Sequence, residues 1–581
     1  MSEQNQNYIR VASQSDVETK GYLVTKVQGE TIALFHHKDK IYAIDNRCPH
    51  MGFPLHRGSV NDCILTCHWH HARFDLNTGG TFDLWADDVP TFPVEVRDGE
   101  VWINVTPHLD AKTHAKQRLI DGLEQNISLV VAKSILGLLS EGVDPTEPFQ
   151  TGLDFGVRYR KEGWGAGLTI HTSMMNILPY LDDKQKARAL YHGIAAVSRE
   201  CAGKPPRFAI QPLPTSSENT DISLLQKWFR QFIEVRDAQG AERCLVSAIR
   251  TGVKPAQIAE MLFAAVTDHR YIDVGHSLDF TNKALEALDA AGWENAELVL
   301  TSLVRGYANA DRMEESNSWR YPIDLVKILE GAFEQLDAAL AEGREKRGSW
   351  KGEEQLVPVL LGEDPTAIAT SLLAALRDGA TEEELGGTVA YAAALRIAQF
   401  HTNNDFRDWD TAHHSFTFAN AVHQGLVRVP SKLLLRGVFD AAMTVYLNRF
   451  LNVPPVRLPQ PETVADPEEL LKQLPELLNK QQQVNETGKL VANYLYSGGN
   501  SDRLLAVLGQ LLLREDRDFH TIQEIEAAFR QYSRLKATKA GIHVLVAAAR
   551  YLAAHVPTRR SQEQTYQMAE RLHKGEEVFE G

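Results

Sequence analysis

The chain runs to 581 residues, 43% hydrophobic and 24% charged. That length suits two to four domains of roughly 100 to 200 residues each, and the composition excludes a disordered chain. Acidic residues outnumber basic ones by 76 to 61 for a net charge of −15, and no Lys/Arg-rich run appears, so neither nucleic acid nor an anionic membrane is an expected partner.

The N-terminal Met-Ser-Glu-Gln-Asn-Gln-Asn is polar and lacks the apolar core of a signal peptide. From Tyr8 to Val105 short runs rich in β-branched and aromatic residues alternate with turn residues: Gly21-Tyr-Leu-Val-Thr-Lys-Val, Thr31-Ile-Ala-Leu-Phe, Lys40-Ile-Tyr-Ala-Ile and Cys63-Ile-Leu-Thr-Cys. These read as strands. The clearest hairpin pairs Val94-Glu-Val-Arg with Glu100-Val-Trp-Ile-Asn-Val across Asp98-Gly99, a pair that tolerates the positive φ angles of a two-residue turn. After Pro107 the texture changes to long segments with apolar residues at i, i+3 and i+4, rich in Ala, Leu, Glu and Arg, which predicts helix nearly throughout. The expected fold is therefore multi-domain, an all-β domain over residues 1–107 followed by a large all-α helical-repeat domain over 108–581. The most apolar stretches, Ile127–Leu139 and Val544–Ala554, are short and carry Lys133 and Arg550, so no membrane span and a cytoplasmic location are expected.

Five cysteines in so long a chain point to metal ligation or inert thiols rather than a disulfide framework. Cys48-Pro49-His50 is followed, after sixteen residues, by Cys67-His68-Trp69-His70. Each half offers one thiolate and one imidazole. Two such pairs on adjacent loops can hold a two-iron, two-sulfide cluster, with Cys48 and Cys67 on one iron and His50 and His70 on the other. The same four ligands also suit a tetrahedral zinc. Cys63, Cys201 and Cys244 lack ligand spacing and read as buried apolar thiols, and His56, His68 and His71 fall out of register.

The first 105 or so residues, including Asp75-Leu-Asn-Thr-Gly-Gly after the second pair, resemble the Rieske domain and, within it, the soluble Rieske ferredoxins. The resemblance implies a [2Fe–2S] cluster that moves one electron at a time. High-potential Rieske proteins join the two loops by a disulfide. The matching positions here are Phe53 and Trp69, which implies the lower-potential ferredoxin or oxygenase type.

The helical region shows no flavin or nicotinamide fingerprint: Gly163-Trp-Gly-Ala-Gly is not G-x-G-x-x-G and follows no strand. A separate flavin- and NAD(P)H-dependent reductase or a ferredoxin is the expected electron donor. Phe406 to His414 contains Asp408, Asp410, His413 and His414, but its helical setting departs from the mononuclear-iron domain of ring-hydroxylating Rieske oxygenases. Compared with itself, the region repeats a pattern of a short helix ending in Gly, another helix, then His followed by Ser or Thr. The histidines are His171, His276, His414 and His520, at spacings of 105, 138 and 106 residues; His192 and His543 occupy comparable helices. A quasi-repeated bundle supplying one inward imidazole per unit could place four nitrogen ligands around one metal, and beside a Rieske cluster mononuclear non-haem iron is the sensible choice. Trp164, Trp409 and Phe416 are candidates for an apolar substrate pocket or for plain core packing.

These His-Ser/Thr helices and His543-Val-Leu-Val-Ala-Ala-Ala-Arg550 resemble the questin-oxidase-like family. That resemblance implies a helical oxygenase with histidine-bound iron acting on polycyclic aromatic substrates. Ala374-Ala-Leu-Arg-Asp-Gly-Ala-Thr-Glu-Glu-Glu-Leu is similar to repeats of carboxymuconolactone decarboxylase relatives, without a Cys-x-x-Cys. Two functions follow: an iron–sulfur oxidoreductase whose helical domain oxidises an apolar or aromatic small molecule with O2, or a Rieske electron carrier whose helical repeats dock a partner enzyme. A homo-oligomer is compatible with either.

Overall fold

The computed structural model describes residues 7–106, 110–208, 210–214, 221–461, 465–576 and 578. The expected boundary at 107 and 108 lies outside the described residues.

The β domain contains β1 (Tyr8–Ser13), α1 (Gln14–Lys20), β2 (Tyr22–Val27), β3 (Glu30–His37), β4 (Lys40–Asp45), β5 (Ser59–Asn61), β6 (Ile64–Thr66), β7 (Arg73–Asp75), β8 (Thr91–Phe92), β9 (Val94–Arg97) and β10 (Glu100–Asn104). Three antiparallel sheets form, in the orders β1-β10-β9, β2-β3-β4-β8 and β5-β6-β7. β3 explains how one domain holds two cores. Side chains alternate across a strand, so Ile32 and Leu34 enter one core with Val17, Val101 and Ile103. Ala33 and Phe35 enter the other, with Phe74 and the cysteines Cys48 and Cys67. The β9–β10 hairpin turns through Asp98 at φ 50° and Gly99 at φ 77°, as the Asp-Gly pair predicts.

Strand gives way to helix after β10, but the compact unit does not end there. Residues 1–151 and 562–581 form one unit, and 152–561 a second. In the first, helices α2 (Ala111–Glu124) and α3 (Ser128–Ser140) form a hairpin against the β domain. Arg118 of α2 donates to the carbonyls of Leu84 and Ala86 at 3.2 and 2.6 Å. From the C-terminal helix, the Leu572 carbonyl accepts from Arg47 Nη1 at 2.8 Å.

Among its described residues the second unit is helical and carries no strand. Helix Glu382–Ala398 is buried along most of its length, with Ala390, Ala392, Ala393 and Ala394 letting neighbours approach closely. No described helix is long and apolar enough to cross a membrane.

Candidate metal centres

The two halves of the Cys/His motif fold alike. Cys48 N donates to Phe53 O and Gly52 N to Cys48 O, at 2.8 and 2.7 Å. Cys67 N donates to Ala72 O and His71 N to Cys67 O, at 2.8 and 3.0 Å. Each loop thus closes through the same pair of bonds, and each places a left-handed residue four positions after its cysteine, Gly52 at φ 81° and His71 at φ 63°. That turn aims the amides of His50 and Met51 at the Cys48 sulfur, and those of Trp69 and His70 at the Cys67 sulfur. The Cys67 thiol is pushed down to about 6, first by the hydrogen bond from Cys48 and then by these amides. Both cysteines are buried.

The imidazoles of His50 and His70 meet edge to face with ring centres 4.8 Å apart. His50 Nδ1 is buried with no hydrogen-bond partner among the described residues, and burial, then His70 and Lys133, lowers its pKa to about 4. An orphaned neutral nitrogen beside two amide-bonded sulfurs fits an iron–sulfur ligand set. Phe53 and Trp69, one from each loop, face each other with ring centres 6.3 Å apart. His56 is held by Asn46 and His68 by Ser59, both at 3.0 Å, which keeps them out of the set.

In the helical unit three of the four singled-out histidines converge. One ring nitrogen from each of His276, His414 and His520 lies within 4.8 Å of the others. His414 and His520 approach Nε2 to Nε2 at 3.2 Å, and the His276 ring stands perpendicular to that of His414 with centres 4.8 Å apart. His414 projects from helix Asp408–Arg428, whereas His276 and His520 lie in the first turns of helices His276–Ala291 and Phe519–Arg534. A run of left-handed residues, Asp273, Val274 and Gly275 at φ 51°, 47° and 92°, delivers His276 to the site. Such conformations persist only where the surroundings enforce them. Gly275 abuts Phe418 so closely that a Cβ would come within 2.8 Å.

Burial holds the His276 imidazole to about 4 and His414 to about 3, with repulsion from neighbouring rings adding to it. His520 is lowered first by burial, against the pull of Asp518 and Asp410. The three are therefore neutral at pH 7, with His414 and His520 sharing a hydrogen bond between their Nε2 atoms. Phe280 stacks on His276 with centres 5.3 Å apart, and Phe519 lies 5.4 Å from it, giving the site an apolar wall.

The expected fourth member, His171, is not in this group. Its fully buried ring occupies the space left by Gly152 and Gly193, at each of which a Cβ would come within 2.7 Å of a ring nitrogen. His413 instead stands beside the trio, its ring centre 5.0 Å from that of His520. Its Nδ1 is bonded to Glu524 Oε2 at 3.0 Å, and its Nε2 has no partner among the described residues. Burial keeps His413 well below and Glu524 well above their ordinary ranges, so the bond joins neutral partners. The sequence holds two signals of this pair: His413 precedes His414, and Glu524 follows His520 by one helical turn.

His543 is bonded to the Tyr391 hydroxyl at 2.7 Å and His423 to Gln531 at 3.1 Å. Trp409 stacks on Phe400 at 3.8 Å, Trp164 donates to Thr169, and Phe416 is fully buried. All three aromatic side chains pack in the core.

Residues 7–93 match the Rieske [2Fe-2S] domain family. The 3-phenylpropionate/cinnamic acid dioxygenase ferredoxin subunit of Photorhabdus laumondii is 39% identical over 77 residues, 13% of this chain and 73% of the relative. The ferredoxin component of the naphthalene 1,2-dioxygenase/salicylate 5-hydroxylase systems of Ralstonia sp is 31% identical over 101 residues, 17% of this chain and 97% of the relative. Among solved structures, the ferredoxin of carbazole 1,9a-dioxygenase from Nocardioides aromaticivorans is similar at 25% identity, over 17% of this chain and all of that one, with a TM-score of 0.17.

Proposed function

The chain belongs to the Rieske [2Fe–2S] domain family, and from that premise we propose that it is an oxidoreductase whose helical unit holds a second, mononuclear metal. Cys48, His50, Cys67 and His70 hold the cluster, and His276, His414 and His520 hold the metal. The cluster supplies one-electron transfer, and iron at the trio supplies O2-dependent oxidation of an apolar or aromatic small molecule. The observation that carries this reading is that three neutral imidazoles from separate helices bring one ring nitrogen each within 4.8 Å of one another.

The roles of the chain's own residues follow. The trio offers nitrogen donors without a competing proton. Phe280 and Phe519 exclude water on the His276 side. The His413–Glu524 pair stands beside the trio and ties together the two helices that carry His414 and His520. Electrons reach the Rieske domain from a separate flavin- and NAD(P)H-dependent reductase or a ferredoxin, a partner class suggested by relatives that are ferredoxin components of dioxygenase systems. The experiment is O2 uptake by the full chain with NADH, a ferredoxin reductase and a panel of polycyclic aromatic phenols. Wild type consumes O2 with matching product; His276→Ala, with its Rieske spectrum intact, does not. Equal turnover by the variant refutes the second site.

Those same relatives also favour a second reading, a Rieske electron carrier whose helices dock a partner enzyme. It differs in requiring no metal beyond the cluster.

A further inference from the structure

Helix α3, Ser-Leu-Val-Val-Ala-Lys-Ser-Ile-Leu-Gly-Leu-Leu-Ser, contains one charged residue, Lys133. An isolated ammonium in so apolar a helix is expensive unless it is paired. Its Nζ donates to Asp87 Oδ2 at 3.0 Å and also to the carbonyl of Pro49 at 2.9 Å, between the cluster ligands Cys48 and His50. Asp87 does not depend on it as a partner, because Arg118 Nε approaches Asp87 Oδ1 at 2.9 Å. The second bond reaches past the anchor to the ligand loop.

We propose that the α2–α3 hairpin tunes the cluster, with Lys133 as the positioning residue that raises its reduction potential. Reduction adds one electron, hence one negative charge, to the cluster. A cation held on the ligand loop stabilises that state, and a bond to the Pro49 carbonyl draws electron density from the loop. The other charges facing Lys133 are arranged in order. Asp87 opposes it and is itself met by Arg118 and, at 3.5 Å, by His114; Asp88 faces His114 at 3.4 Å, and Asp121 faces Arg118 at 2.9 Å. The outer acids are thus taken up by the outer bases, and Lys133 is the one of these cations bonded to the ligand loop. The hairpin is an addition in this chain: the Ralstonia relative, 97% matched by 101 residues, has no length left for one. The inference rests on the Rieske domain alone and stands whether or not the histidine trio holds a metal.

The test is an EPR-monitored redox titration of the full chain at pH 7 for wild type, K133M, K133R and D87N. K133M shifts the one-electron equilibrium about tenfold toward the oxidised form, about 59 mV lower for a one-electron couple. K133R keeps the charge and stays near wild type, and D87N rises. The g-values stay constant, because no ligand changes. A K133M cluster at the wild-type potential overturns the proposal, as does K133R falling as far as K133M. If K133M loses its cluster, D87N decides: a rise upholds the tuning role and an unchanged potential overturns it.

Discussion

His414 Nε2 lies 3.2 Å from His520 Nε2. Two imidazoles bound to one ion at about 2.1 Å, at angles between square and tetrahedral, have their nitrogens about 3.0 to 3.4 Å apart. The same 3.2 Å is the length of a hydrogen bond between the two rings, and under the function proposed above a metal would take its place with His276 as the third donor. Replacing His414 or His520 with Ala is expected to weaken the affinity for added Fe(II) or Co(II) by more than about 100-fold, beyond the 10- to 100-fold typical of losing an outer partner. His171→Ala is expected to leave it intact. Anaerobic metal titration followed by desalting and elemental analysis separates these outcomes.

Gly275 adopts a φ of 92° immediately before His276, with Phe418 against it. An alanine there must either take up the left-handed conformation, at about 1 to 2 kcal/mol, or swing His276 away. Gly275→Ala is expected to lower the midpoint of thermal unfolding and to weaken metal binding while leaving the Rieske spectrum unchanged. Wild-type metal affinity in a folded Gly275→Ala protein contradicts the idea that this turn aims His276.

Much of this was legible in residue spacing. The Cys48/His50 and Cys67/His70 pairs declare themselves because ligand loops are local, and the turns that shape them fall within six residues. That His276, His414 and His520 lie close together was hinted at by the recurring His-Ser/Thr context, which singled out His171 with them. Exclusion of His171 was not legible: it depends on Gly152 and Gly193, each about twenty residues from it, leaving a slot for the ring. The docking of α2 and α3 on the β domain was equally hidden. Periodicity shows that a helix has an apolar face, and says nothing of which domain that face covers. Lys133 looked like a residue that merely barred a membrane span, whereas its partners Pro49 and Asp87 lie 84 and 46 residues away.

A buried ionic network ties helices His276–Ala291 and Phe519–Arg534 together below the trio. Lys283 Nζ donates to Glu286 at 3.0 Å and to Glu526 at 2.6 Å, and Asn176 donates to both carboxylates at 2.8 and 2.9 Å. Lys283→Met leaves buried carboxylates short of a cation and is expected to destabilise the protein by about 3 to 5 kcal/mol. The double variant with Glu526→Gln is expected to recover part of that loss, because neighbouring sites couple. Denaturant unfolding of the two single variants and the double completes the cycle; strict additivity contradicts the network.

The pH dependence has opposite signs at two buried positions. Burial lowers His192 to about 3, below the roughly 6.5 of an unfolded imidazole. The unfolded state then binds more protons in acid, so this contribution is complete above pH 6.5 and is lost as pH falls, on the order of 2 kcal/mol between pH 7 and 5. His192→Gln is expected to flatten that limb. Burial raises Asp279 to about 7, above the roughly 3.9 of an unfolded carboxyl. Here the folded state binds the extra proton, so stability falls as pH rises from 4 through 7, and Asp279→Asn is expected to gain stability between pH 5 and 8. Unfolding midpoints across pH 4.5 to 8.5 check both; parallel profiles for wild type and both variants refute the assignment.

The function proposed above gives one chain two kinds of metal centre. Its most direct measurement is iron, acid-labile sulfide and zinc per chain in anaerobically purified protein, before and after incubation with Fe(II) and desalting. About three irons with two sulfides are expected, falling to about two irons with two sulfides in a His276→Ala, His414→Ala double variant that keeps its Rieske EPR signal. Two irons and two sulfides in the wild type, with no further metal retained after reconstitution, would contradict it and leave a Rieske electron carrier.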